Sequence, residues 1–403
     1  MLLLSKVVYK MSIDNSTFPN NRILGCVDSP NQMQILDSED ILCKGWYYSN
    51  DGITSIEIFI DNTKIGTATQ WGERIDLKAA FPQCKNIEKA GFIFYKSVFL
   101  ENGKHTILFR IEYGNNEFFN ESRDIVVDKT VCVIDRVNIE LTNYCNLNCR
   151  WCAGSGEREK GFMDFKTFKT IVDQILSPNV IVHEIHLYNV GESLLHPDFC
   201  KFIEFLGKLK NKPKVVLVTN VTLLSDLIMD CIIKSNGIDV IQFSVDGGTK
   251  ETFEWLRRGA KWDDTINKIN RFLEKNDKSR KTGLITIDMG ASFSEEFQQI
   301  IKRIDFFDFR PPHDWTGQEE MKERNFKRSF NPHPCWHIQN NLVILWNGDV
   351  TLCCADLHGR GVFGNIHEKN IEDLWKGERL NIFRKQVSNR KKEIDLCREC
   401  SIS

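Results

Sequence analysis

Charge of one sign is missing from this chain. Lys plus Arg number 53 and Asp plus Glu 55 among 403 residues, so no net field draws a nucleic acid or an anionic membrane. Partners have to be argued from sites. Long apolar runs are missing too: Met1-Leu2-Leu3-Leu4-Ser5-Lys6 is too short and has no cationic flank before it for a secretory signal, and nothing later approaches a membrane span. Cytoplasm is the expected location. Without an export signal the 14 cysteines read as reduced thiols and metal ligands, not as a disulfide framework. Seven of them fall into two ligand-like sets. Cys26, Cys43, Cys84, Cys132, Cys200, Cys231 and Cys354 are scattered, as small buried hydrophobes are. What is present in quantity is apolar residue, 41% of the chain, enough for two or three domains with real cores.

The first cysteine set is Cys145-Asn146-Leu147-Asn148-Cys149-Arg150-Trp151-Cys152, spaced CxxxCxxC. It follows the alternating run 137–142, so the cysteines lie on a loop leaving the carboxyl end of a strand. Three thiolates can fold round an iron–sulfur cube of four irons and leave one iron without a protein ligand. An open iron is a place for chemistry. A structural zinc site is the competing reading, but zinc normally closes with four ligands, and no fourth lies nearby.

This spacing, with an aromatic residue just before the third cysteine, resembles the radical S-adenosylmethionine (SAM) superfamily from about Asp135 to the end of the chain. The resemblance implies a [4Fe–4S] cluster on Cys145, Cys149 and Cys152, with Trp151 among the cofactor-binding residues. It also implies an open iron that holds the amino and carboxylate groups of SAM. One electron then cleaves SAM to methionine and a 5′-deoxyadenosyl radical, which takes a hydrogen atom from substrate.

Residues 1–130 read differently. Runs such as Ser55-Ile56-Glu57-Ile58-Phe59-Ile60 and His105-Thr106-Ile107-Leu108-Phe109-Arg110 alternate between turn signals at 49–52, 61–62 and 101–103, the pattern of an all-β sandwich. Gly45-Trp46, 58–62 and 102–107 resemble bacterial immunoglobulin-like modules. Such a module serves for docking or spacing, or recognises a sugar chain or a carrier protein bearing the substrate.

From Asp135 strands at 136–142, 184–189, 214–219, 238–244, 284–289 and 304–310 alternate with helical segments, which predicts parallel βα units in an α/β fold. Six such units make a partial (β/α)6 barrel, the core of the radical SAM family, over 135–310. Its active site is expected at the carboxyl ends of the strands. There, Asn189-Val190-Gly191-Glu192 resembles the family's GGE motif with Val190 for the first glycine, and implies that Gly191 and Glu192 hold the SAM ammonium. Val218-Thr219-Asn220 resembles the TNG segment, with Val221 where glycine is usual. Ser244 and Arg257 match family residues that contact the ribose or carboxylate of SAM; Arg257 also reads as a solvated helix arginine. Asp288 falls near the adenine end of the pocket or in its wall. Arg310, His313, Asp314 and Trp315 are substrate-side candidates, with a plain turn as the alternative. His196 reads as structural.

The second set is Cys335, Cys353, Cys397 and Cys400. Asn347-Gly348 between apolar runs 342–346 and 350–354 predicts a hairpin with Cys353 on the returning strand. Four thiolates close a cluster, which then moves electrons but binds no SAM; a Cys₄ zinc site is the alternative. With Gly364-Asn365-Ile366 and 371–376, this region, 311–403, resembles the family's SPASM or shorter twitch extension with one auxiliary [4Fe–4S] cluster. Cys354 is expected to point away from Cys353, as an unused thiol or a hydrogen-atom donor.

The reaction expected is oxidation of a sugar-like or cyclitol substrate, since the cysteine spacing resembles twitch dehydrogenases of aminocyclitol alcohols. Peptide modification and epimerisation are the alternatives within the family, and a non-enzymatic iron–sulfur or zinc protein is the alternative outside it. The resemblance suggests a flavodoxin or ferredoxin as electron donor.

Overall fold

The computed structural model describes residues 23–37, 40–70, 74, 77–78, 81, 83–152, 154, 156–276, 278–287, 293–310, 335–390, 393–398 and 400. The chain divides into two compact units, Met1–Val133 and Ile134–Ser403.

The first unit is all-β among the described residues apart from short helical turns. Its strands are β1 (Leu24–Ser29), β2 (Gln34–Leu36), β3 (Asp40–Tyr48), β4 (Ile53–Ile60), β5 (Thr63–Thr67), β6 (Thr69–Gln70), β7 (Gly91–Ser97), β8 (Gly103–Tyr113) and β9 (Glu117–Val127). They form two sheets, ordered β1-β3-β7-β6 and β2-β9-β8-β4-β5. Alternation decides which side is buried: Ile56, Ile58 and Ile60 on β4, and Ile107, Phe109 and Ile111 on β8, point into one core with Ile41, Tyr47, Phe92 and Phe94 from the other sheet. Asp61 and Asn62 take left-handed φ of 47° and 69° between β4 and β5, as a tight hairpin turn requires.

The second unit is a mixed α/β fold around one large sheet. Its strands β10 (Cys132–Ile139), β11 (Val180–Leu187), β12 (Lys214–Thr219), β13 (Val240–Ser244), β14 (Lys281–Ile287) and β15 (Phe306–Arg310) lie in chain order across the sheet. Each neighbouring pair from β11 to β15 is parallel. Between them run α1 (Phe165–Ile175), α2 (Phe199–Gly207), α3 (Asp226–Ser235), α4 (Lys250–Leu256), α5 (Trp262–Lys275) and α6 (Glu295–Arg303). Asp164, Ser225, Thr249 and Ser294 cap helix starts by accepting backbone N–H bonds.

The C-terminal segment continues this sheet. After α7 (Trp336–Asn340), β16 (Asn341–Ile344) pairs in parallel with β10, and β17 (Asp349–Thr351) and β18 (Val362–Asn365) follow antiparallel at the edge. The expected hairpin turns at Asn347-Gly348, where Gly348 has φ 86°. Helices α8 (Ile371–Trp375) and α9 (Glu378–Arg390) complete it. Gln174 of α1 ties the parts: its Nε2 donates to Ile366 O and its Oε1 accepts from Ile371 N.

Two expectations about cysteines are corrected. Cys200 and Cys231 are not separate thiols but a disulfide linking α2 to α3, with Cα atoms 6.0 Å apart. Helix packing brings them together, and nothing local in the sequence signals it. The strand carrying Cys353 also ends early, at Thr351, so alternation no longer separates Cys353 from Cys354; their thiols share a hydrogen bond. His313, Asp314, Trp315 and Asp288 lie outside the described residues.

Candidate active site

The cysteine loop leaves the carboxyl end of β10 and is held by its neighbours through backbone bonds. Asn148 N donates to Arg258 O at 3.1 Å and Arg150 N to Leu256 O at 2.8 Å, while Arg150 Nε donates to Trp255 O. From the other side, Glu192 N donates to Tyr144 O at 2.9 Å. Gly191 is packed so closely that a Cβ there would stand 2.1 Å from Thr142 O, and only glycine fits such an approach.

Asp246, just beyond the end of β13, organises the site, and the sequence reading gave it no role. It is fully buried. Its Oδ2 accepts from Trp151 Nε1 and from Arg257 Nε, both at 2.8 Å, and its Oδ1 from Ile287 N at 3.1 Å. Arg257 Nη2 also donates to Ser244 Oγ. Arg257 is therefore no solvated helix arginine: it is 4% exposed and directed at the cysteine loop. Burial opposes its charge, but Asp246 and the Cys149 and Cys152 thiols outweigh that and hold it above its ordinary value. Burial raises the thiols of Cys145 and Cys152 and pushes Cys149 up to about 12, with Arg257 pulling each the other way.

Glu192 is largely engaged within the protein. Its carboxylate accepts from Leu194 N, Thr219 Oγ1 and Asn220 N, joining the loop after β11 to the end of β12. Asn220 Nδ2 donates to Asn146 Oδ1 at 3.0 Å and lies 3.9 Å from Cys145 Sγ. Val221 has φ 74°, the left-handed backbone for which glycine is suited. His196 sits in the core, its Nε2 against Met163 O and its Nδ1 accepting from Asp198 N. A buried bidentate pair, Arg158 with Glu140 at 2.8 Å for both bonds, anchors the segment after the cysteines, and Arg158 Nε reaches Leu357 O.

The second cysteine set is spread along the chain. Cys335 precedes α7 and lies within electrostatic reach of Cys353, whose Sγ accepts from Ala355 N. The segment with Cys397 and Cys400 approaches the same turn: Leu396 stands against the space beside Gly361. The shared hydrogen bond raises Cys353 and lowers Cys354, and Arg136 and Arg310 also favour the Cys354 thiolate. Arg310, at the end of β15, pairs with Asp308 through Nε at 2.8 Å, and Tyr188 and Cys354 are within its electrostatic reach. Among the described residues no three His, Cys, Asp or Glu side chains are grouped round a single ion; in a cubane each thiolate takes its own iron. The donors fit iron–sulfur clusters in kind: thiols only, the first three on one loop beside a buried guanidinium.

Residues 139–304 match the model of the radical SAM superfamily, and residues 335–401 match that of the SPASM iron–sulfur cluster-binding domain. A curated relative, the S-adenosyl-L-methionine-dependent 2-deoxy-scyllo-inosamine dehydrogenase of Niallia circulans, is 24% identical over 268 residues, 66% of this chain and 92% of that protein. A GTP 3',8-cyclase of Clostridium botulinum is 26% identical over 38% of this chain and 46% of its own length, so the chain spans about half of that relative. The crystal structure of Streptococcus suis SuiB bound to precursor peptide SuiA superposes with a TM-score of 0.52 at 17% identity, covering 67% of this chain and 70% of that one, a likeness of fold. BtrN in complex with AdoMet and 2-DOIA gives a TM-score of 0.48 at 19% identity over 67% and 94%. The chain thus carries a radical SAM domain over residues 139–304, followed by a SPASM-type iron–sulfur domain over 335–401.

Proposed function

We propose that this protein is a radical SAM oxidoreductase that dehydrogenates a sugar-like or cyclitol alcohol. The observation that carries the reading is the Trp151–Asp246–Arg257–Ser244 network, which sets a buried cation beside three thiols on one loop. Cys145, Cys149 and Cys152 would hold the SAM-binding [4Fe–4S] cluster, and Cys335, Cys353, Cys397 and Cys400 an auxiliary one. The reduced cluster supplies the electron that cleaves SAM. Arg257 and Ser244 orient the SAM carboxylate or ribose. With most of the Glu192 carboxylate engaged, the ammonium falls chiefly to the backbone around Gly191. Asn220 fixes the loop through Asn146.

Turning a secondary alcohol into a ketone removes one hydrogen atom, one proton and one electron. SAM bound at the first loop would supply the hydrogen-atom abstraction, and a cluster held by Cys335, Cys353, Cys397 and Cys400 would take up the electron. Arg310, polarised against Asp308 near Tyr188 and Cys354, marks the side where the proton leaves. Similarity to the inosamine dehydrogenase over 92% of its length supports the substrate class. Flavodoxin or ferredoxin is the proposed donor, and cytoplasm the proposed location. Among the described residues no helix is long and apolar enough to cross a membrane. The first unit serves as an immunoglobulin-like sandwich for docking, and the sheet of the second as a partial barrel.

The test is anaerobic reconstitution, reduction with dithionite, and measurement of 5′-deoxyadenosine. The expected result is SAM cleavage by the wild-type chain. No cleavage would leave a non-enzymatic metal protein. Epimerisation has one observation in its favour, the Cys354 thiol near Arg136 and Arg310. Product made in D₂O would then carry a deuterium, whereas dehydrogenation leaves none.

A further inference from the structure

Arg136 on β10 is a buried cation without a counter-charge. It is 9% exposed, its Nε is buried with no partner, and its guanidinium makes no hydrogen bond or ion pair among the described residues. A guanidinium keeps its proton inside a protein. The charge therefore stays, and a buried charge is costly until something negative sits beside it.

The carboxylates of this region are committed elsewhere. Glu184 is bonded to His186 Nε2 and Lys214 Nζ, Glu140 to Arg158, and Asp308 to Arg310. Asp356 accepts from Thr351 Oγ1, Arg360 N and Gly361 N. His186, within electrostatic reach of Arg136, is neutral or cationic and cannot serve as its counter-charge.

What lies beside Arg136 is the second cysteine set. Arg136 pairs across the sheet with Asn341 of β16, which ends the short helix that starts after Cys335. Its Cζ stands 5.7 Å from the centre of the ring of Trp336, the residue next to Cys335. On the far side of β16, Thr351 pairs antiparallel with Val343, so the chain beyond Thr351 runs back toward the level of Asn341 and brings Cys353 and Cys354 with it. Two strand spacings, about 10 Å, separate β10 from β17, and Arg136 is among the charges that reach the Cys354 thiol. Cys335 and Cys354 are in turn within reach of Cys353. A cubane closed by four thiolates is net negative, and more so once it has taken an electron. A fixed cation nearby stabilises the reduced form more than the oxidised one, which raises the potential. Arg310 also reaches Cys354, but Asp308 offsets its charge. Arg136 has no such partner.

We propose that Arg136 is the counter-charge of the auxiliary cluster and raises the potential at which that cluster would take up the electron left by the substrate. It is a positioning residue, acting through the cluster and touching no substrate. The inference deepens the dehydrogenase reading and rests on it for the presence of that cluster.

The test removes the first cysteine set so that one cluster is read alone. The full chain carrying Cys145/Cys149/Cys152→Ala is reconstituted anaerobically with iron and sulfide, and the midpoint potential of the remaining cluster is followed by electron paramagnetic resonance during a reductive titration. Adding Arg136→Gln is expected to move the midpoint to a more negative potential by about 59 mV or more, at least tenfold in a one-electron equilibrium. Arg136→Lys, which keeps the charge, is expected to move it less. Where the glutamine variant does not hold iron, Arg136→Met, which keeps an apolar stem against Trp336, is measured in its place. An unmoved midpoint in the charge-free variants, even with a fall in thermal stability, overturns the inference and leaves the auxiliary cluster standing. Zinc in place of iron in the triple variant overturns the cluster and this inference together, while SAM cleavage by the wild type would still support the first site.

Discussion

The two cysteine sets are built on opposite principles. Cys145, Cys149 and Cys152 share one short loop whose backbone is already fixed by Leu256, Arg258 and Glu192 and whose Trp151 is fixed by Asp246. The second set spans residues 335–400, from a helix start through a turn to the C-terminal segment. The first loop is organised by the protein before any iron arrives. The second is gathered by the sheet instead, through β16 on β10 and the β17–β18 edge, and joining ligands across a stretch about ten times longer costs roughly 2 kcal/mol more in chain entropy. On the proposed reading, a cluster that SAM must reach would suit a preorganised loop, and one that passes electrons would tolerate ligands gathered from afar.

The largest effect that would test this contrast is removal of the first set. In the Cys145/Cys149/Cys152→Ala triple variant SAM cleavage is expected to vanish, and the iron count to fall from about eight to about four per chain, as two cubanes require. A count of four falling to none, with zinc present, would make the C-terminal site structural and end the comparison between two clusters.

Next in size is the organiser of the first loop. Asp246→Asn keeps an acceptor for Trp151 but leaves the buried Arg257 guanidinium uncompensated, and breaking such a pair costs roughly 3–5 kcal/mol. Thermal unfolding should show it, and SAM cleavage should fall with it because Arg257 loses its orientation. A variant as stable as the wild type would mean that the loop is not preorganised through Asp246.

How much of this was legible beforehand differs between the same two regions. The strand at 214–219 lies where the alternation put it, and the segment at 304–310 is strand from Phe306, because parallel strands buried on both faces leave a strong local pattern. The Asn347-Gly348 turn was equally plain. Asp246 was not: in Ser-Val-Asp-Gly-Gly it reads as a turn residue, and only the rule that βα sites lie at strand carboxyl ends singles it out. The parallel pairing of β16 with β10 and the Cys200–Cys231 disulfide are long-range packing events, invisible to local pattern. The buried amide of Gln242 sits in the run Val-Ile-Gln-Phe-Ser; the sequence shows a polar residue in an apolar strand but not what faces it.

A smaller effect separates the sets by function. Cys353→Ala is expected to leave SAM cleavage in place while oxidised product disappears. Unaltered product formation would remove the auxiliary site from the redox step.

The smallest effect concerns the wall of the first loop. Val221 is fully buried at φ 74°, a conformation that costs an ordinary residue about 1–2 kcal/mol, held by Val221 N to Thr219 Oγ1 and Leu224 N to Val221 O. Replacing it with alanine deletes two buried methyl groups, worth about 1.6 kcal/mol, and keeps a Cβ in the left-handed backbone. Replacing it with glycine deletes more apolar surface and adds backbone entropy of about 0.5–1 kcal/mol to the unfolded chain, yet removes the strain. The strain relief offsets much of that loss, so Val221→Gly is expected to be no less stable in urea than Val221→Ala, the reverse of the order in unstrained interiors. If alanine proves the better tolerated by about 1 kcal/mol, Val221 is not strained. Backbone strain beside the cysteines, which persists only where the surrounding structure over-determines it, would then no longer count as a sign that the first loop is built by the protein.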